Sequence, residues 1–141
     1  MATTTIQSIL DIFEGADERN WQKASNAMAN KVLLDYTSMT GGEPALLTPQ
    51  EITAAWANFL PGFDKTHHQL SNFQQQANTV TFDGKADHYI NDSVWTVIGN
   101  YYAETEADGK VSLLRFNFKT QSGNTELPAI ATANIQKSKV N

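Results

Sequence analysis

Cysteine is missing from the sequence, and basic side chains are few. The absence of cysteine among the 141 residues excludes disulfide bonds and thiolate metal sites. The ten Lys and Arg residues are scattered along the chain, and fifteen Asp and Glu outnumber them, which gives a net charge of −5. This balance argues against a nucleic-acid partner, because nucleic-acid binding needs a clustered basic surface.

Long apolar runs are also lacking. None approaches the ~20 residues of a membrane-spanning helix, so no membrane association is expected. The N-terminal segment has no basic residues ahead of its apolar ones, unlike a signal peptide, and a cytoplasmic protein is expected. No Gly-rich phosphate loop and no Ser-His-Asp order occurs, so neither a cofactor nor acyl transfer is predicted. The length fits a single domain over residues 1–141 with its own core.

The N-terminal segment has the spacing of an amphipathic helix. Its apolar stripe predicts a first helix that ends near Gly15. Asp17 continues the stripe and is predicted to point inward; the alternative is that it caps the next helix. The residues of the stripe are Ile6, Ile9, Leu10 and Phe13.

A second helix and a short strand are predicted next. The helix covers residues 18–29, and the strand covers residues 32–38. The strand places Tyr36 on its apolar face, where the hydroxyl group needs a partner; the alternative is an ordinary core tyrosine. Residues 40–47 are predicted to be a loop because they contain two glycines and a proline. The buried side of the helix is expected to carry Trp21, Ala24 and Met28.

The third helix has the clearest start in the sequence. Thr48 is predicted as N-cap, Pro49 occupies the first helical position, and Glu51 completes a capping box. The helix is expected to stop at residues 60–62, where Leu-Pro-Gly stands. Its buried stripe is predicted to be Ile52, Ala55, Trp56 and Phe59.

Residues 63–91 are predicted to form two long strands, which carry all three histidines. Side chains two apart share a face of a strand, so His68 and His88 are expected to face one mostly apolar interior, with His67 pointing away. Gly84 is a candidate for a bulge. The inward set of the first strand is Thr66, His68, Leu70 and Asn72, and that of the second is Val80, Phe82, Gly84, Ala86, His88 and Ile90.

Two more strands are predicted over residues 94–106 and 111–120, joined by a turn centred on Asp108 and Gly109. The tail, residues 121–141, is predicted to contain either a short helix or a last strand. Helices followed by long antiparallel strands indicate an α+β fold, in which a curved sheet wraps against helices.

Five stretches carry a resemblance to a known family. Residues 16–21, 34–38, 47–56, 60–63 and 66–68 resemble, in order and spacing, the SnoaL-like branch of the nuclear transport factor 2-like superfamily. The resemblance implies a cone-shaped α+β barrel with three N-terminal helices packed on a curved, mostly antiparallel sheet. It also implies relatives among polyketide cyclases, dehydratases and isomerases.

Scytalone dehydratase offers the nearest catalytic analogy. Its site resembles four positions here: Asp17 after the first helix, Tyr36 on the first strand, and His68 and His88 on neighbouring strands. Ala16 stands where that site has a second tyrosine. Our hypothesis from the chemistry of these groups is that Asp17 orients His68, that His68 moves a proton, and that Tyr36 and His88 bond the substrate oxygen.

This chemistry suits a small cyclic or polyketide-like carbonyl compound, by dehydration, isomerisation or cyclisation. Two alternatives are a domain that only binds a small apolar ligand and a protein-association module. The candidate substrate-binding side chains have core packing as their alternative role. They are Trp21, Trp56, Phe59, Phe63, Leu70, Asn72, Phe82 and Phe116.

No metal site is predicted, because His67 and His68 face opposite ways on a regular strand and no carboxylate set accompanies them. The outer sheet face is expected to carry His67, Gln69, Gln75 and Tyr89. In the superfamily this face often packs against a second copy, so the resemblance implies a homodimer.

Overall fold

The computed structural model describes residues 5–140, with side chains for residues 5–137. Six strands form one sheet in the order β2-β1-β6-β5-β4-β3, and all neighbours are antiparallel except β1 and β6. The α+β architecture is therefore confirmed. The helices are α1 (Thr5–Glu18), α2 (Trp21–Asn26), α3 (Thr37–Thr40), α4 (Pro49–Ala57) and α5 (Leu127–Val140), with a 3-10 turn at Leu60–Gly62. The strands are β1 (Met28–Asp35), β2 (Ala45–Leu47), β3 (Lys65–Gln76), β4 (Thr79–Ile90), β5 (Ser93–Thr105) and β6 (Val111–Gly123).

The four long strands, β3 to β6, match their predicted places and bring the histidines together. His68 pairs with Ala86, and His88 pairs with Trp95, so both rings lie on the inner face beneath the helices. The predicted turn between β5 and β6 is confirmed, with the backbone N–H of Glu106 donating to the carbonyl of Lys110. Gly109 has a φ of 85°, a left-handed value that glycine adopts freely.

A bulge interrupts β3, but not at the predicted place. The register of β4 with β5 runs unbroken through Gly84, whereas the register of β3 with β4 shifts between Ser71 and Gln74. Asn72 takes up the extra residue with a φ of 57°, a conformation that asparagine tolerates better than most residues. Beyond the bulge the faces are exchanged, so Gln75 pairs with the inner-face residue Val80 and its predicted place on the outer face is wrong.

The first helix continues past Gly15, so its predicted end is wrong. The glycine lies inside α1 because α2 packs against it: a Cβ atom there would meet the backbone nitrogen of Ala24 at 2.8 Å. The helix ends instead at Glu18, and Arg19 turns the chain with a φ of 58°. The glycine therefore serves a helix contact and not a C-cap.

The second helix and first strand are displaced from their predicted positions. Helix α2 is only six residues long, and Met28, predicted to be helical, already pairs with Val111 in the sheet. Pairing with β6 thus outweighs the local helical pattern. At the other end, Asp35 accepts hydrogen bonds from the backbone and hydroxyl groups of Thr37 and so starts the single turn of α3. Tyr36 consequently lies just beyond the strand end.

The segment after α3 is partly extended and then helical. The predicted loop over residues 40–47 is wrong at its end, since β2 pairs with β1 there. The capping box of α4 is confirmed, with Thr48 and Glu51 each bonding the other's backbone N–H. Ala55, predicted to be buried, is exposed. In the tail, the helical alternative is correct.

The outer sheet face is polar and partly open. His67 and Gln69 are exposed and Tyr89 is half-buried, as the alternation predicts. A polar hollow of about 540 Å³ on this face is lined by residues such as Asp83 and Arg115. The homodimer through this face stays a prediction. Within residues 5–140, no helix has both the length and the apolar character needed to cross a bilayer.

Candidate active site

A cavity of about 500 Å³ lies between the inner face of the sheet and the helices. Its wall is mostly apolar, and His68, His88, Tyr36 and Tyr101 supply the polar chemistry. The apolar residues of the wall come from both layers: Phe13, Ala16, Leu34, Met39, Trp56, Phe59, Leu60, Ala86, Trp95, Val97, Phe116 and Pro128.

Asp17 and His68 are in direct contact at one end of this cavity. Oδ1 of Asp17 lies 2.6 Å from Nδ1 of His68, and Oδ2 accepts the backbone N–H of His68 at 2.7 Å. That N–H is available because β3 is the last strand of the sheet that residues 5–140 form, and its second edge pairs with no other strand of this range. The carboxylate thus holds both the ring and the backbone of one residue, which fixes the ring's direction.

The protonation of the pair follows from these contacts. Burial raises the pKa of Asp17, but the hydrogen bonds and charge of His68 and the hydroxyl of Thr66 outweigh it, so the pKa lies below its ordinary value. Asp17 is therefore a carboxylate at neutral pH, and its partner Nδ1 must carry the hydrogen. The contact with Asp17 uses Nδ1, which leaves Nε2 of His68 for a ligand at the cavity wall.

His88 is held in the same tautomer by a different group. Its Nδ1–H donates to the carbonyl oxygen of Trp95 at 3.0 Å, since a carbonyl can only accept. Burial lowers the pKa of His88 to about 4, so the ring is neutral at pH 7. In this state Nε2 can accept a hydrogen bond from a hydroxyl group but cannot donate one to a carbonyl oxygen. The ring centroids of His68 and His88 are 6.4 Å apart.

Two phenols, Tyr36 and Tyr101, line another part of the cavity wall, which we call the phenol end; the part lined by His68 and His88 is the histidine end. Burial raises the pKa of Tyr36 to about 12, although a hydrogen bond with Tyr101 offsets part of the rise. Burial, together with the proximity of Tyr36, raises the pKa of Tyr101 well above its ordinary value. The two phenols thus interact with each other, and both line the cavity.

Glycines on the sheet give these rings their positions. A Cβ atom on Gly84 would meet Cε2 of Tyr101 at 2.4 Å, and one on Gly99 would meet Cε1 of Phe116 at 2.6 Å. The two glycines are paired across β4 and β5. The rings of Tyr101 and Phe116 therefore pack directly against the backbone of the sheet, and they form part of the cavity wall. Phe13 contacts both ends, with its ring centroid 5.1 Å from those of His68 and Tyr101.

The predicted substrate-binding residues divide into two groups. Trp56, Phe59 and Phe116 line the cavity, and the others do not. Asn72 is exposed by the bulge and bonds Asp83 on the outer face, so its predicted inward position is wrong. Of the remaining four, Phe63 and Phe82 belong to the hydrophobic core and Leu70 packs against it. Trp21 is half-buried on α2.

Several lining residues were not predicted, and Tyr101 matters most among them. Its position follows from the alternation of β5, in which Trp95, Val97 and Tyr101 all face inward. Ala16 is buried in the cavity wall and carries no hydroxyl group. The second phenol of the cavity, beside Tyr36, is that of Tyr101 on β5. Among the described residues, no group of three or more His, Asp or Glu side chains is placed to hold a metal ion.

No family model matches the sequence, and no curated protein matches it either. Solved structures do match, and one is the Kfla4162 protein from Kribbella flavida, with a TM-score of 0.75 and 21% identity over 89% of this chain and 94% of that one. Another is a Δ5-3-ketosteroid isomerase from Mycobacterium sp., with a TM-score of 0.72 and 9% identity over 86% of this chain and 100% of that one. The chain has the nuclear transport factor 2-like fold.

A putative scytalone dehydratase from Novosphingobium aromaticivorans shares this nuclear transport factor 2-like fold, with a TM-score of 0.66 and 12% identity over 84% of this chain and 83% of that one. The predicted fold is thereby confirmed. At these identities the similarity concerns the fold alone, and the SnoaL-like assignment and the catalytic roles stay predictions.

Proposed function

We propose that the cavity is the active site of a cofactor-independent enzyme that moves a proton next to a carbonyl group. The observation that carries this proposal is the contact of Asp17 with His68, which fixes the tautomer of a histidine at the wall of a mostly apolar cavity. A histidine held in one tautomer at the wall of a mostly apolar cavity suits proton transfer from carbon near neutral pH.

The polar groups divide the reaction between them. Nε2 of His68 takes a proton from the carbon beside the carbonyl, and Asp17 stabilises the imidazolium that forms. The negative charge that develops on the carbonyl oxygen is stabilised by the hydroxyl of Tyr36, itself supported by Tyr101. Both phenols stay protonated at neutral pH because their pKa values are raised.

The imidazolium then returns the proton. If it protonates a different carbon, the product is a double-bond isomer; if it protonates a departing hydroxyl group, water leaves and an enone forms. His88 is suited to accept a hydrogen bond from such a hydroxyl group. We propose a small cyclic or polyketide-like carbonyl compound as substrate, because the apolar wall and the cavity volume favour a compact ring system.

The test uses a panel of cyclic β-hydroxyketones and β,γ-unsaturated ketones, with the appearance of the conjugated enone followed by its ultraviolet absorbance. His68→Gln is expected to lower kcat by about 10²–10⁴-fold, the usual contribution of a general base. Asp17→Asn is expected to lower kcat in the same direction. His67→Gln is the matched control, because this neighbouring histidine is exposed on the outer face.

Undiminished turnover by His68→Gln would overturn the proposed role of the histidine. The alternative function is ligand binding without turnover. It is favoured by the hydrogen bonds that both oxygens of Asp17 already accept from His68 and Thr66, as in a buried pair with a structural role. Saturable binding of panel compounds with no product from any of them would favour that alternative. A protein-association module has less support, since the large apolar side chains exposed in the described part are Leu46 and Ile130 alone.

A further inference from the structure

Arg19 occupies an unusual position directly after α1. Its φ of 58° is left-handed, which is uncommon for a residue other than glycine. Its guanidinium group is turned inward and donates to the carbonyl oxygens of Ala16 and Leu60, each at 2.8 Å. One side chain thereby joins the end of the first helix to the 3-10 turn at Leu60–Gly62.

The same guanidinium group also reaches the edge strand. Nη1 of Arg19 donates to Oγ1 of Thr66 at 2.9 Å, and Thr66 is 5% exposed. Because a guanidinium group can only donate, Oγ1 must accept here. The hydroxyl hydrogen of Thr66 is thus left for its other neighbour, Oδ1 of Asp17, at 3.0 Å.

Because Arg19 can only donate, the two hydrogen bonds that follow have a fixed direction: Arg19 donates to Thr66, and Thr66 donates to Asp17. We propose that Arg19 and Thr66 are positioning residues for the proton transfer, acting through Asp17 on His68; this inference rests on the proposed function. The path runs from Arg19 to Thr66, from Thr66 to Asp17, and from Asp17 to His68.

The consequence for the base follows from the sharing of one oxygen. Oδ1 of Asp17 accepts both the hydroxyl of Thr66 and Nδ1–H of His68. A carboxylate oxygen that already accepts a hydrogen bond holds protons more weakly, so Thr66 keeps Asp17 ionised and keeps the Nδ1 hydrogen on the ring. The positive charge of Arg19 acts in the same direction.

Few other charges face this carboxylate. The titratable and charged groups around it are His68 from β3, Arg19 from the end of α1, and His88 from β4, which is neutral at pH 7. Loss of the Thr66 hydroxyl is therefore expected to change the titration of Asp17 directly.

Thr66→Val and Thr66→Ser form the matched pair of variants, because valine keeps the shape of threonine without its hydroxyl and serine keeps the hydroxyl. The carboxyl carbon of Asp17 is followed by NMR during an acid titration, and kcat and KM are measured on the best substrate of the ketone panel. We expect Thr66→Val to raise the Asp17 titration midpoint by about half a pH unit or more. We expect kcat to fall about threefold to tenfold at nearly constant KM, and Thr66→Ser to restore both values.

An unchanged Asp17 titration in Thr66→Val, or a failure of Thr66→Ser to restore it, would overturn the inference. Arg19→Lys provides a second route if the valine variant does not fold: one ammonium group cannot bond Thr66 in the forked geometry of arginine, so the midpoint is expected to rise. No rise in Arg19→Lys would likewise overturn the inference. The titration requires no substrate, so failure of the proposed enzyme activity and failure of this path are separate results.

Discussion

The two ends of the cavity are ordered by different forces. At the histidine end, His68 and His88 are each held through Nδ1, one by the carboxylate of Asp17 and the other by the carbonyl of Trp95. At the phenol end, Tyr36 and Tyr101 are surrounded by rings, with Phe116 lying 5.5 Å and 4.8 Å from them between centroids. Hydrogen bonds to fixed partners orient the rings at the histidine end, whereas ring packing dominates at the phenol end, where the two phenols also interact with each other.

The proposed roles of the two ends explain this difference: the histidine needs a fixed tautomer, and the phenols need to stay protonated. A base must present one particular lone pair, so its tautomer has to be set by a partner on the other nitrogen. A phenol that donates a hydrogen bond must stay protonated, and burial alone achieves this by raising its pKa. On the proposed mechanism, a fixed polar partner is needed at His68, where a proton moves on and off the protein, and burial is enough to keep the phenols protonated.

After the loss expected for His68→Gln, the largest effect is expected from removing a hydroxyl at the phenol end. Tyr36→Phe should lower kcat by about 10²–10³-fold, the usual loss for one oxyanion donor. The free energy of unfolding should fall by about 1–3 kcal/mol, because the buried Tyr101 loses a hydrogen-bond partner while the ring at position 36 and its packing remain. Steady-state kinetics and urea unfolding together measure both quantities.

Tyr102→Phe is the matched control for this prediction. Tyr102 adjoins Tyr101 in sequence but faces the outer side of the sheet, where its hydroxyl bonds Glu104. If Tyr36→Phe and Tyr102→Phe left kcat equally unchanged, the phenol end would have no part in catalysis.

At the histidine end, acid should lower the free energy of unfolding, because the buried neutral ring of His88 resists protonation in the folded protein. Its pKa is about 4 in the folded protein and 6.5 ordinarily, so between these values the unfolded chain binds more protons. Stability is therefore complete above about pH 6.5 and falls as the pH approaches 4, by about 3 kcal/mol in total. Asp17, whose pKa is lowered, adds its own loss only below its ordinary value of 3.8.

His88→Gln should flatten this dependence, as measured by urea unfolding at about pH 7 and about pH 4.5. His67→Gln serves as control, because that exposed ring has no buried neutral form to lose. An identical loss of stability in His88→Gln and the unaltered protein would show that His88 does not cause it.

The smallest effect is expected from filling the space beneath a ring. Gly84→Ala places a methyl group 2.4 Å from Cε2 of Tyr101, so the ring must shift. Overpacking of this kind costs about 1–3 kcal/mol in the free energy of unfolding. Urea unfolding measures the cost, and the shifted hydroxyl should also lower kcat.

The same alanine in a Tyr101→Ala background has no ring to displace. Its cost should vanish there, and the two changes should be coupled by the amount that Gly84→Ala costs alone. Equal costs in both backgrounds would mean that the glycine has another role.

Local chemistry made part of this molecule predictable from its sequence. The capping box of α4 depends on Thr48 and Glu51 alone, and simple alternation placed His68 and His88 on one face. Such features need only neighbours in sequence. The same holds for the turn at Asp108 and Gly109.

Other features depend on partners that are distant in sequence. Gly15 resembles a helix end until Ala24 is known to pack on it, and Gly84 resembles a bulge until Tyr101 is known to cover it. The bulge at Asn72 exchanges the faces of β3, and a single left-handed residue leaves little trace in a pattern of alternation. Tyr101 was missed because its role depends on Tyr36, which comes from a distant strand end.

The backbone N–H of His68 has a consequence beyond orientation of the ring. It belongs to an open sheet edge, where free amides invite the addition of a foreign strand. Here the carboxylate of Asp17 occupies that amide. The carboxylate that orients the histidine ring therefore also blocks one position of this edge against the addition of another strand.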